Sequence, residues 1–148
     1  MIYKLLHKIA TKTVSSHDFG LILKEVLEIL ASDLGMNRGM ISIYRRDLNE
    51  IVVAVSHGFD LVDGDITYRL GEGITGKVIE TGRPVAIPNL EKEPLFLDRT
   101  KSRKKLNRSE LAFICVPIIF DKEIIGALSV DRIFVSNDIL AYAVFLFA

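Results

Sequence analysis

The chain has 148 residues, enough for one domain that buries roughly two-thirds of its unfolded surface. Its 19 Lys and Arg balance 19 Asp and Glu, so no global basic field exists and no basic helix-turn-helix pattern is found, which argues against direct nucleic-acid contact. The single cysteine, Cys115, excludes an internal disulfide and a zinc site of ordinary Cys/His spacing. With no leader-like N-terminal segment and no apolar run near the ~18 residues of a membrane span, the expected setting is cytoplasmic and away from membranes.

In chain order, an amphipathic stretch from Ile2 to Lys12 comes first. Phe19, Ile22, Leu23, Val26, Ile29 and Leu30 then recur at helical spacing, with Ser15 and Asp18 as a capping box and Gly35 as the stop, which predicts a core-facing helix of about four turns. Ile41 and Ile43, then Ile51, Val53 and Val55, alternate around turn residues Asp47 to Glu50 and predict a β-hairpin. A short strand through Ile66 and Tyr68 runs into Leu70-Gly71-Glu72-Gly73-Ile74-Thr75-Gly76, and a helix through Val78 and Ile79 stops at Gly82. Val85 to Ile87 reads as a brief strand. Asn89 to Arg108 is a long polar loop carrying Arg99, Lys101, Arg103, Lys104, Lys105 and Arg108, and loops of that length in compact domains are commonly functional or mobile. Leu111 to Phe120 and Glu123 to Asp131, separated by Asp121-Lys122, form a second hairpin whose continuous apolar character predicts central strands buried on both faces. Ser136 caps a last helix that ends at Phe147-Ala148 without a stop signal, which is expected of a piece of a longer chain. The periodicity as a whole predicts one α+β domain over residues 1–148.

Several blocks make a family resemblance specific. Leu70-Gly-Glu-Gly-Ile-Thr-Gly76, Glu80-Thr-Gly-Arg-Pro-Val85, Ile87-Pro-Asn89, Glu93-Pro-Leu-Phe-Leu97, Phe113-Ile-Cys-Val-Pro-Ile118 and Ile125-Gly-Ala-Leu-Ser-Val-Asp131 stand in the order and spacing of GAF domains in NifA-type, sigma54-dependent activators. From about Asp18 onward the chain resembles that family. The Gly-rich turn alone is weak evidence, and the combination carries the resemblance. It implies a central antiparallel sheet with the N- and C-terminal helices on one face and a ligand pocket on the other, under the Gly-rich helix and the long loop. An AAA+ ATPase and a DNA-binding domain are implied downstream. The implied ligand is a small carboxylate such as 2-oxoglutarate, and proteins of the PII class are implied partners.

The candidate ligand-binding residues are Arg69, Gly73, Ile74, Thr75, Arg99, Arg108 and Asp131. Backbone N–H groups at Gly73, Ile74 and Thr75 open a helix and suit an anion, although glycines there also serve simply to turn a strand into a helix. Arg69 can grip a carboxylate bidentately or face solvent. Arg99 and Arg108 belong to a basic run that can close over an anion or be a solvated loop. Asp131, ending a central strand, can orient a ligand hydroxyl, pair with neighbours of Arg132, or cap a turn. Cys115 sits in an apolar strand and reads as a small hydrophobe. His7, His17 and His57 are scattered, so neither a metal nor another cofactor is expected.

The expected function is a regulatory binding module without catalysis, in which ligand occupancy is passed through the terminal helices to the ATPase. GAF domains that reduce free methionine sulfoxide use several cysteines, and one cannot form the needed disulfide. A cyclic-nucleotide module is an alternative, although the Asn-Lys-Phe-Asp-Glu signature of that branch is absent. A dimerisation scaffold with a closed pocket is another. Apolar stripes at Leu5, Leu6, Ile9 and Ala10, and at Ile139, Leu140, Ala143, Val144 and Phe147, predict a two-fold homodimer through the terminal helices.

Overall fold

The computed structural model describes residues 16–59, 66–90 and 111–133. The expected helices at 2–12 and after Ser136, the long loop bearing Arg99 and Arg108, and the terminal-helix dimer stripes lie outside these residues.

Helix α1 spans Ser16–Leu34. Leu23, Val26, Leu27 and Leu30 are its buried positions, an i, i+3, i+4, i+7 stripe that lays one helical face on the sheet. Leu27, absent from the sequence stripe, is 1% exposed, whereas Ile29, counted in it, is 39% exposed. The helix ends at Gly35, whose amide donates to the Ala31 carbonyl.

Six antiparallel strands follow: β1 Arg38–Arg45, β2 Glu50–His57, β3 Thr67–Arg69, β4 Val85–Ile87, β5 Leu111–Phe120 and β6 Glu123–Ile133. Their order in the sheet is β3-β2-β1-β6-β5-β4, so β1 and β6 are the innermost pair. The β5–β6 hairpin turns through Asp121 and Lys122, both at positive φ, the arrangement of a two-residue turn whose twist matches that of the strands. Burial on both faces holds for Leu111 to Cys115 and for Gly126 to Asp131. The hairpin tip departs from it, since Ile119 and Phe120 are 56% and 60% exposed.

The sheet separates two cores. Leu23, Val26, Leu27, Leu30, Met36, Ile41, Ile114, Leu128 and Val130 pack on the α1 side. On the other side helix α2, Gly73–Thr81, packs Ile74, Val78 and Ile79 against Met40, Ile51, Val53, Phe113 and Cys115. Simple alternation would put Val53 and Val55 on one face. Instead Ile41 pairs with Val55 and Ser42 with Val53, so Ala54 is an extra residue, a bulge that reverses the parity of the strand. Val53 therefore joins the α2 core and Val55 the α1 core.

Candidate functional site

Strand alternation decides what the α2 side of the sheet presents. One cross-strand row runs Arg38, Asp131, Phe113, Ile87. The next runs Met40, Ser129, Cys115, Val85, and a third runs Val53, Ser42, Ala127, Pro117. Among the described residues the buried polar ones are Ser42, Thr75, Ser129 and Asp131. The three strand residues stand in these rows and Thr75 comes down from α2. A polar seam thus crosses an otherwise apolar face.

Charge is concentrated at one end of that seam. Arg38 Nε lies 3.5 Å from Asp131 Oδ1, with the Arg38 side chain 14% exposed and that of Asp131 fully enclosed. The guanidinium stands over the Phe59 ring at 5.3 Å from its centroid, within the range of a cation–π contact. Toward the middle of the seam, the Ser129 hydroxyl meets Cys115 Sγ at 3.3 Å. The Ser42 hydroxyl is buried and has no hydrogen-bond partner among the described residues.

Burial pushes the Cys115 thiol up to about 11, and hydrogen bonds from Ser129 and Thr75 offset this only in part. The nucleophilic form of cysteine is the thiolate. At neutral pH this sulfur is a protonated, enclosed packing group.

The start of α2 is built by its turn. Glu72 Oε2 accepts the Arg69 amide at 2.8 Å, and the Glu72 amide donates back to the Arg69 carbonyl at 3.0 Å. Gly73 has φ 61°, the left-handed region that residues with a Cβ avoid. At Gly76 a Cβ would lie 2.5 Å from the Arg69 carbonyl oxygen, so the helix seats directly on the turn. An open groove of about 680 Å³ runs along Thr67 to Glu72 at the sheet edge, and it shares no lining residue with the seam.

The GAF domain model matches residues 18–143. The chain belongs to the GAF family. This GAF domain is 34% identical over 141 residues to the nitrogen fixation protein VnfA of Azotobacter vinelandii, an alignment covering 94% of the chain and 27% of that protein. To the Nif-specific regulatory protein of Azospirillum brasilense it is 40% identical, over 80% of the chain and 19% of that protein. The chain thus spans about a quarter or less of these relatives. Among solved structures, the GAF domain of A. aeolicus nlh2 in an inactive state is 31% identical with a TM-score of 0.78, covering 96% of this chain and 85% of that one.

Within the GAF fold the expected residues separate into groups. Ile74 and Thr75 are buried in the first turn of α2, and Gly73 is half-buried at its start. Asp131 is enclosed and faces Arg38 across the β1–β6 pair. Arg69 is exposed on the edge strand, where it pairs with Glu50 and alternates away from buried Tyr68. Arg99 and Arg108 lie outside the described residues. Sequence reasoning missed Arg38, Ser42 and Ser129. Their signal is the period-two pattern Arg38, Met40, Ser42, Tyr44, which interleaves polar groups with apolar ones on a strand whose other face, at Ile41 and Ile43, is plainly apolar. Among the described residues, no group of three or more His, Cys, Asp or Glu is gathered as a metal would require, and no helix is long and apolar enough to cross a membrane.

Proposed function

We propose that this GAF domain is the small-molecule-sensing module of a Nif-type, sigma54-dependent activator, taking a small carboxylate of the 2-oxoglutarate class and controlling a neighbouring AAA+ ATPase. The observation that carries this reading is the enclosed Arg38–Asp131 pair at the head of a polar seam on one face only of the sheet. Its relatives' names, Nif-specific regulatory protein among them, support regulation over catalysis. The buried Cys115 thiol offers no nucleophile at neutral pH. Signalling through a homodimer of the terminal helices, with a PII-type protein as a further partner, belongs to the same reading.

Calorimetry of this domain against 2-oxoglutarate, formate, glutamine and cyclic nucleotides tests it, with saturable heat expected for the dicarboxylate. The full enclosure of Ser42, Ser129 and Cys115 favours a second reading, a dimerisation scaffold whose pocket its own side chains fill. Heat from none of the four ligand types, together with a dimer in sedimentation, would select the scaffold.

A further inference from the structure

We propose that the tip of the β5–β6 hairpin is a contact of the homodimer, in which the exposed Ile119 and Phe120 of one copy pack against the same hairpin of a second copy about a two-fold axis. The inference rests on the homodimer in the reading above and adds to the terminal helices a second place where the two copies meet.

Ile119 and Phe120 are 56% and 60% exposed. Single apolar side chains at a surface are ordinary, whereas large ones side by side mark a contact. The hairpin itself does not need the ring. Phe120 stands opposite Glu123, so it gains no apolar partner across the strands, and the turn is made by Asp121 and Lys122 at positive φ. The outer edge of β5 is an unsuitable place for an added strand. Beyond the residues that β4 pairs with, Phe113 to Cys115, Pro117 has no amide to donate, and the register shift between Ile118 and Ile119 breaks the regular ladder. An occupant therefore meets the tip through side chains.

Charge selects a second copy as that occupant. Asp121, Lys122 and Glu123 are all exposed, an acid-base-acid run that a partner surface of one sign matches poorly. Its own copy matches it well, because a two-fold axis near the turn sets Lys122 of each copy toward the carboxylates of the other. The chain has no net charge at pH 7, so two copies approach without overall repulsion. Position agrees. Ile118 packs on the α1-side core, and Ile119 stands opposite Ile124, which packs on the α2-side core, so alternation returns Phe120 to the α1 side. That side also leaves Leu21 and Ile29 of α1 59% and 39% exposed, which gives it apolar surface beyond the hairpin. Area sets the rank of the contact. Two side chains from each copy cover far less than the ~1,200 Å² of a stable complex, so the tips strengthen a dimer held elsewhere and do not make one alone.

The test is sedimentation equilibrium of the intact 148-residue chain, with urea unfolding as the check on the fold. Phe120→Asp and Ile119→Asp alter exposed side chains, so each should unfold near the parental midpoint while the dimer dissociation constant rises on the order of ten- to a hundredfold. Cross-linking is the second measurement. Glu123→Cys supplies an exposed thiol in a chain whose own Cys115 is enclosed, and a short bismaleimide should join two copies through it. Ala54→Cys, exposed but away from the tip, should join them far more slowly. Should an aspartate variant not fold, the cross-linking decides. Parental dimerisation in both folded aspartate variants, or joining by Glu123→Cys no faster than by Ala54→Cys, overturns the inference and leaves the terminal-helix homodimer standing. A parent that stays monomeric at micromolar concentration overturns the inference and the homodimer together, while calorimetry decides the small-molecule reading separately.

Discussion

On the α1 side of the sheet the core is apolar throughout, from Leu23 and Leu27 to Ile114 and Val130. On the α2 side Arg38, Ser42, Thr75, Cys115, Ser129 and Asp131 are set among Ile51, Val78 and Phe113. Both faces exclude water, and only one does so at an electrostatic cost, because buried polar groups are unfavourable unless well partnered. The α1 face needs nothing beyond packing to explain it. The α2 face spends stability on groups that packing does not require, and this is the physical reason to look for the ligand there.

The sharpest way to separate the faces is to damage the one that only packs. Leu27 is 1% exposed at the centre of the α1 core, so Leu27→Ala is expected to lose about 2–5 kcal/mol in urea unfolding through lost transfer and a residual cavity. Calorimetry on the folded fraction should find carboxylate affinity unchanged. Weaker binding in proportion to the lost stability would show that the faces are not separable.

Next in size is Gly76→Ala, which acts on the α2 side through backbone alone. The added Cβ meets the Arg69 carbonyl oxygen, and the helix must lift from its turn at an expected cost of about 1–3 kcal/mol. Parental stability in this variant would mean that α2 is not seated on that turn. Gly73→Val separates site from strain less well, because its φ of 61° is costly for any β-branched residue whatever the backbone amides do.

The elements were more legible in the sequence than the site. Asp121-Lys122 marked the second hairpin because two residues between apolar runs leave little choice of turn, and Gly35 and Gly82 ended their helices as read. What escaped was parity. The bulge at Ala54 sends Val53 and Val55 to opposite cores, and a one-residue insertion leaves no trace in composition. Arg38 escaped for a related reason: it follows a helix stop and looks like the first exposed residue of a strand until β6 places Asp131 opposite it. Asp131 was legible as a candidate from its place at a strand end, but its partner lies 93 residues earlier in the chain, 131 minus 38. Only the assembled sheet joins them.

Cys115 tests the seam from within. Cys115→Ser puts a second hydroxyl beside Ser129, which can partner it in part, so an expected loss of about 1 kcal/mol falls near the low end for a buried hydroxyl. The parent thiol gives a pH signature as well. Its folded value of about 11 lies above the reference 9.0, so the folded state holds the proton more tightly. The resulting stabilisation is complete below about pH 9 and is lost as pH rises toward 11. Urea midpoints should fall over that window in the parent and less in Cys115→Ser, and native thiol labelling at neutral pH should run no faster than unfolding. Rapid labelling of the folded protein would contradict the enclosed position.

The smallest expected change in stability is the most informative about the seam. Ser42 is 0% exposed, and its hydroxyl has no hydrogen-bond partner among the described residues. Removing such a group relieves a desolvation cost while creating only an oxygen-sized space, so Ser42→Ala is expected to unfold within about 0.5 kcal/mol of the parent, or slightly above it. Affinity is the contrasting measurement. If the hydroxyl is kept for a ligand that reaches into the seam, binding weakens in a variant that is no less stable, a combination that a packing role does not produce. A loss of more than about 1 kcal/mol with affinity intact would instead show that the hydroxyl has an internal partner. The seam would then be a structural network.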